Sequence, residues 1–373
     1  MRVYESPAGI GNIYLDVFND LEACGRPVTV RGLQCVEAPE PVTLVYKNPA
    51  AHWMCIPGRR FNPFFALAEV VWILSGNGSV EWISYFNHHM RQFADGGKNE
   101  FHGAYGPRIR RWSVPGSRRA FVDQIFEVVV KLGNDPNSRQ AVISLWDPVR
   151  DNLIKSRDYP CNNIVYFSLR DGRLDCTVAI RSNDIIWGTP YNAIQFSHIQ
   201  ALVAGELRAG IGSLTYVIQN LHYYLDLYPE ALFAVRNSAL KNAGQPRLLT
   251  GEILGFSPTT EAEFRRTAQL VEGIRQNRLC PQEALNTLGF FGGYWGYTVP
   301  LAIWLYCTIK EGLFSAPEDY LFVAERIRSF GDPLESLIID FYSQSSNVHA
   351  REVLHQWKQL AMAHSGSSSK LES

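Results

Sequence analysis

The chain is short of the features that mark most specialised classes of protein. Its seven cysteines (Cys24, Cys35, Cys55, Cys161, Cys176, Cys280 and Cys307) are odd in number and widely spaced, and no CxxC occurs. Neither a disulfide framework nor a zinc ribbon is therefore suggested. Positive charge is not in excess: 35 Lys and Arg face 36 Asp and Glu, for a formal net charge of −1. That balance argues against a surface that wraps duplex nucleic acid, while allowing a local cluster for a single phosphate. The longest apolar stretches, around Phe64–Leu74 and Val299–Cys307, fall short of a membrane span. The opening residues, MRVYESPAGIGNIY, carry no basic region followed by an apolar run. There is no P-loop and no GxGxxG after a strand. His88-His89 lack ligand spacing, so no metal site is expected. A cytoplasmic, reducing setting is expected, without a membrane or nucleic-acid partner.

What is present is an ordinary globular composition, with 46% hydrophobic and 19% charged residues over 373 positions. The N-terminal third reads as mixed: a helix over Asn12–Leu21, then strands over Val28–Val36 and Pro41–Tyr46. Phe64–Leu74 (FFALAEVVWIL) is apolar around most of its circumference, as a helix buried in a large core would be, which makes its single charge, Glu69, informative. AVISLW, NIVYFSLR and LDCTVAI follow as strands, the last two joined by a hairpin at Asp171-Gly172. Asn192–Glu206 reads as a mostly apolar helix, and GSLTYVIQNLHYY as a return to strand. Beyond residue 258 the pattern turns helical, over Glu261–Arg278, Val299–Lys310, Pro317–Phe330 and Arg351–Ala363. Gly289–Gly296 is glycine-rich and suits close backbone approach. The expected organisation is a catalytic domain at 1–258, a helical extension at 259–363 and a disordered tail at 364–373.

Unusual residues are densest between Ser138 and Tyr224. A lone cysteine beside a proline, as in Tyr159-Pro160-Cys161, is ordinarily a buried structural thiol. RSNDIIWGTPYN, residues 181–192, then brackets a helix start with an Arg, a Ser, an Asp and an Asn. Capping explains the small polar residues but not the arginine, so a site reading a phosphate or an amide is the livelier alternative.

Taken together, SRQAVISLWDP, PC, RSNDIIWGTPYNAIQFSHIQALVAGE and HYY resemble thymidylate synthase and its nucleotide hydroxymethylase relatives, in order and in spacing. The upstream AEVVWILSG and AYG extend the resemblance over roughly residues 8–235. The resemblance implies an α/β fold: a large mixed sheet with helices on one face, the other face forming a homodimer. It implies that Cys161 adds to C6 of a pyrimidine nucleotide, making C5 nucleophilic toward the one-carbon group of 5,10-methylenetetrahydrofolate. Such addition is covalent catalysis that divides one hard step into easier ones. On the same basis Arg31, Arg139, Arg181 and Ser182 hold the 5′-phosphate, with Arg139 reaching in from the partner subunit. Glu69 is the general acid/base, Tyr105 lies near C5, and His222 and Tyr224 bind the sugar 3′-hydroxyl. Asp184 and Gly188 lie at the folate, with Trp72 and Met90 on the cofactor side. Asn192 reads the base, its amide suiting O4 and N3–H of uracil.

Four departures bear on the product. Asn162 follows Cys161 where the family has a histidine, which alters the surroundings of O4 and loosens the inference of uracil. Met90 stands at the place of a tryptophan that stacks near the folate in synthases, and Asp158 and Tyr159 replace an apolar residue and a proline. The short apolar tail that closes over the folate is not recognisable. The loss of the tryptophan, the polar Asp158 and the missing tail make exclusion of water poorer and favour water attack on an exocyclic methylene, giving a hydroxymethyl group. The expectation is a C5-hydroxymethyltransferase preferring dUMP. The alternatives are a thymidylate synthase with a divergent cap, a dCMP or CMP hydroxymethylase, and an inactive nucleotide-binding regulatory homologue.

Overall fold

Strands rich in β-branched and aromatic residues build the central sheet of the computed structural model, which describes residues 1–114, 116, 120–241, 249–251, 256–277 and 294–368. Six strands lie in the order β1 (Arg2–Ser6), β4 (Val42–Tyr46), β12 (Gly210–Ile218), β10 (Arg173–Ile180), β9 (Asn162–Arg170) and β8 (Val142–Ser144). The β1–β4 and β10–β12 pairs are parallel and the others antiparallel, so the sheet is mixed. Every second residue of β10 from Leu174 to Ile180 is buried, which fixes the face turned to the core. The β9–β10 hairpin turns at Asp171-Gly172, both at positive φ, as a two-residue type I′ turn requires.

Two segments expected as single strands are divided. Val28–Val36 is a hairpin of β2 (Arg26–Val30) and β3 (Leu33–Glu37), turned by Arg31 at φ 53° and Gly32 at φ 82°. The 212–224 segment breaks after Ile218, leaving β12 in the central sheet and β13 (Leu221–Tyr224) in a second one. That sheet runs β11 (Asn183–Asp184), β13, β3, β2, and so brings the RSND and HYY motifs side by side. β5 (Trp53–Cys55) pairs with β14 (Leu249–Gly251), and β6 (Trp112–Ser113) with β7 (Phe121–Val122).

Helices cover the inner face. α1 (Gly11–Cys24) precedes α2 (Pro63–Leu74), which starts where Asn62 accepts from Phe65 N at 2.9 Å and Pro63 fills the first turn. Short helices α3 (Val80–Ser84), α4 (Tyr105–Arg110) and α6 (Pro148–Leu153) flank the amphipathic α5 (Gln124–Asn134). α7 (Gly188–Glu206) is buried from Thr189 to Ala204, four residues earlier in start than the sequence suggests. Inside the core its buried amide donors find partners: Gln200 Nε2 donates to the carbonyls of Leu174, Gly212 and Ser213. After α8 (Pro229–Lys241), the C-terminal helices are α9 (Glu261–Asn277), α10 (Val299–Glu311), α11 (Pro317–Arg328), α12 (Leu334–Tyr342) and α13 (Val348–Ser368).

These last helices share the core of the rest. Tyr306 of α10 packs 5.3 Å from the rings of both Phe64 and Phe86. α12 was not evident from sequence, although Leu334, Leu337 and Ile338 are buried at helical spacing. α13 continues to Ser368, into the segment expected as a tail; residues 369–373 lie outside the described residues, as do Cys280, Arg278 and 289–293. Among the described residues no helix is long and apolar enough to cross a membrane.

Candidate active site

The start of β9, the end of β10, the start of α7 and the N-terminus of α4 converge on Cys161. The thiol is half-buried. Burial pushes it up, opposed first by the Arg181 guanidinium. Arg181 Nη2 lies 3.8 Å from Cys161 Sγ, and the guanidinium is held by the carbonyls of Pro160 (2.9 Å) and Tyr159 (3.1 Å). Arg31, exposed at the β2–β3 turn, also acts on the thiol to favour its ionised form. Ser182 is half-buried beside Arg181. Arg139 is exposed just before β8, at the outer edge of the sheet.

A chain of amides lies behind the thiol. Asn162, fully buried, donates Nδ2 to the Tyr105 hydroxyl at 2.8 Å and to Asn192 Oδ1 at 3.3 Å. Asn192 Nδ2 donates to Asn183 Oδ1 at 3.3 Å, and Asn183 Nδ2 to Thr189 Oγ1 at 3.0 Å. Tyr216 fixes the backbone here by donating to the Asn192 carbonyl at 2.8 Å. Gly188 belongs to the same cluster: a Cβ there would lie 2.5 Å from Asn183 Oδ1. Its lack of a side chain leaves room for the Asn183 amide.

Two carboxyl groups are raised to near neutrality. Burial pushes Glu69 up to about 7, opposed by Gln195 Nε2, which donates to it at 2.5 Å. Burial also pushes Asp184 up to about 7, although the N–H groups of Ile186 (2.8 Å) and Trp187 (3.2 Å) donate to its Oδ1. Carboxyls poised near neutrality are suited to proton transfer or to reading a polar heterocycle. Across β11 and β13, Asp184 is paired with His222. The His222 ring sits edge-on to Tyr224 at 5.2 Å, with Nδ1 3.0 Å from Asn220 Oδ1 and its pKa lowered by burial.

A family model described as thymidylate synthase matches residues 51–248, more than half of the chain. The chain belongs to the thymidylate synthase family. Three phage relatives bear one name, deoxyuridylate hydroxymethyltransferase. That of Bacillus phage SP01 is 37% identical over 221 residues, 58% of this chain and 57% of its own. That of Pseudomonas phage M6 is 39% identical over 188 residues, 50% of this chain and 51% of its own. That of Delftia phage PhiW-14 is 27% identical over 189 residues, 48% of this chain and 50% of its own. The chain thus spans about half the length of the curated relatives it matches.

The family motifs do not reach every residue of the cluster. Met90 is half-buried in the short 3₁₀ helix His88–Phe93. Trp72, expected on the cofactor side, is 4% exposed on α2 and edge-on to Phe101, and its indole N–H has no partner among the described residues. Asn183, Gln195 and Arg59 were missed by sequence reasoning. Asn183 sat within a quoted motif, but nothing local signals that its amide faces Asn192. Gln195 is one of several buried polar residues in a helix that reads as mostly apolar, a signal that was available. Asp158, expected to admit water, accepts from Gly103 N at 2.7 Å, with burial raising its pKa.

Proposed function

We propose that the protein transfers a one-carbon unit from 5,10-methylenetetrahydrofolate to C5 of dUMP and releases 5-hydroxymethyl-dUMP. The observation that carries this reading is the convergence of Cys161 and Arg181 with the Tyr105–Asn162–Asn192 amide cluster and, on the facing helix, Glu69. The names of the phage relatives favour the hydroxymethyl outcome over the methyl one.

Cys161 adds to C6 as its thiolate, C5 exchanges its proton for the one-carbon group, and once water has added to the resulting exocyclic methylene the thiolate leaves C6. Arg181 favours that thiolate while its guanidinium meets the 5′-phosphate, with Arg31, Ser182 and the partner's arginine at position 139 completing the anion site. Asn192 presents one donor and one acceptor to O4 and N3–H, His222 and Tyr224 meet the 3′-hydroxyl, and the Tyr105 hydroxyl takes the C5 proton. Glu69 moves protons at the carbonyl side of the ring. The folate supplies the one-carbon group at the oxidation level of formaldehyde. The residues present fit it: Asp184 offers a carboxyl to the pterin, Trp187 is a 38% exposed indole, and the buried Arg59 has unused donors. The family resemblance assigns Met90 and Gly188 to the same side.

A homodimer through the outer face of the central sheet accompanies this reading. Val3, Val217 and Tyr166, all exposed, fall on that face by strand register. The direct test supplies methylenetetrahydrofolate with dUMP, dCMP, UMP or CMP and weighs the product. A hydroxymethyl product of dUMP without dihydrofolate is expected. Thymidylate with stoichiometric dihydrofolate would make the protein a synthase instead.

A further inference from the structure

The loop between β5 and α2 is held by a residue far along the chain. Asp340, on α12, accepts from the backbone N–H of Gly58 at 2.7 Å through Oδ1 and of Arg60 at 2.8 Å through Oδ2. Both acceptors of one carboxylate are thus spent on two residues that flank Arg59. Gly58 and Arg60 each adopt positive φ, 83° and 57°. For arginine that conformation is uncommon and persists only where surroundings over-determine it.

The consequence is the inward course of Arg59. It is 7% exposed, lies 5.0 Å over the Phe61 ring and donates Nη2 to the Ile186 carbonyl at 2.5 Å. Its Nε and Nη1 have no hydrogen-bond partner among the described residues. Its charge acts on Asp184, lowering a carboxyl that burial raises. A buried guanidinium with two idle donors, beside a carboxyl at the folate end of the site, is a costly arrangement unless a ligand completes it.

We propose that Asp340 is a positioning residue through which the C-terminal helices set Arg59 against the folate, whose carbonyl or carboxylate oxygens use the idle donors. The inference rests on the folate reading given above. It assigns the C-terminal helices a task at the cofactor end of the site, although Asp340 itself touches neither substrate nor cofactor.

The test measures equilibrium binding of a non-reacting folate analogue and of dUMP to the full chain, with thermal melting alongside. Asp340→Ala is expected to weaken folate binding roughly tenfold and dUMP binding less than about twofold. Asp340→Asn, which keeps the shape and one acceptor, falls between and guards against a folding defect. In an Arg59→Ala background, Asp340→Ala is expected to add nothing, because the path runs through Arg59. Equal losses for both ligands, additive effects in the double variant, or unchanged folate binding would overturn the link while leaving the folate reading intact. A wild-type protein that binds dUMP but no folate would overturn the reading and the link together.

Discussion

Gln195 Nε2, on α7, donates to Glu69 Oε2, on α2, at 2.5 Å, and is the hydrogen bond that opposes the effect of burial on this carboxyl. With its pKa near about 7, Glu69 changes charge in the working range of most cells. Removing the donor in Gln195→Leu leaves burial unopposed and pushes the carboxyl higher. If the ionised form is the active one, the acid limb of kcat/KM moves up by roughly half a unit to one unit. A limb that stays in place would show that Glu69 does not govern it.

The same carboxyl gives a stability prediction with a definite sign. Its folded pKa of about 7 lies above the ordinary 4.5, so the folded chain holds this proton more tightly than the unfolded one. Stability from this group is therefore unaffected below 4.5 and falls as pH rises toward about 7, the full cost being on the order of 3 kcal/mol. Glu69→Gln should be more stable than wild type at pH 8 by up to that order, yet similar at pH 4, while turnover falls. Urea unfolding at the two pH values decides it. A difference independent of pH would refute the linkage.

Much of this site was legible because its chemistry lies in contiguous motifs. Cys161, Arg181, Asp184 and Asn192 fall within 32 positions of one another, and strand or helix periodicity sets their faces. The remainder depends on contacts that no local pattern encodes. Asp340 meets a loop 280 and 282 residues away in sequence. The β2–β3 hairpin was missed because its first turn residue is Arg31, which carries none of the turn preference of Asn or Asp. A helix as uniformly apolar as α2 does not by itself reveal which of its side chains, Trp72 among them, line a cleft.

Base choice should depend on more than Asn192. Its amide is held at both ends, by Asn162 Nδ2 and by Asn183 Oδ1, so that donor and acceptor cannot exchange places without breaking both bonds. Exchange is what would convert an amide that reads uracil into one that reads cytosine. Asn183→Ala and Asn162→Ala are each expected to lower the dUMP-over-dCMP preference in kcat/KM by about tenfold. Gly188→Ala, which crowds Asn183 Oδ1, should act in the same direction. An unchanged ratio in all three variants would leave Asn192 as the sole reader.

Arg139 permits a test that needs no structure of a dimer. It is exposed and precedes the edge strand β8, which suits a residue that serves a neighbouring subunit. Cys161→Ser and Arg139→Ala should each be inactive alone. Mixed and allowed to exchange subunits, half of the dimers would be hybrids with one intact site, restoring roughly a quarter of wild-type activity. No recovery, with exchange verified by mass, would place Arg139 outside the partner's site.

The loop that carries Cys161 rests on a buried ionic network. Arg108 forms a bidentate pair with Asp151, at 2.6 and 2.7 Å, and both side chains are almost wholly buried. Arg108 also donates to the carbonyls of Leu145 and His102, while His102 Nε2 lies 2.9 Å from Asp151 Oδ1. Although burial works against the charge, Arg108 keeps the Asp151 carboxyl below its ordinary range. Removing one partner leaves an uncompensated buried charge, so Asp151→Ala should cost about 3–5 kcal/mol in urea unfolding. Replacing both, as Asp151→Leu with Arg108→Met, removes that charge and should recover a large part of the loss. The geometry makes the network a tie between α4 and α6, and α6 precedes the segment that delivers Cys161. Activity should therefore fall with stability in the single variant and recover less than stability in the double one. A single-variant cost below about 1 kcal/mol would mean that packing alone holds this segment.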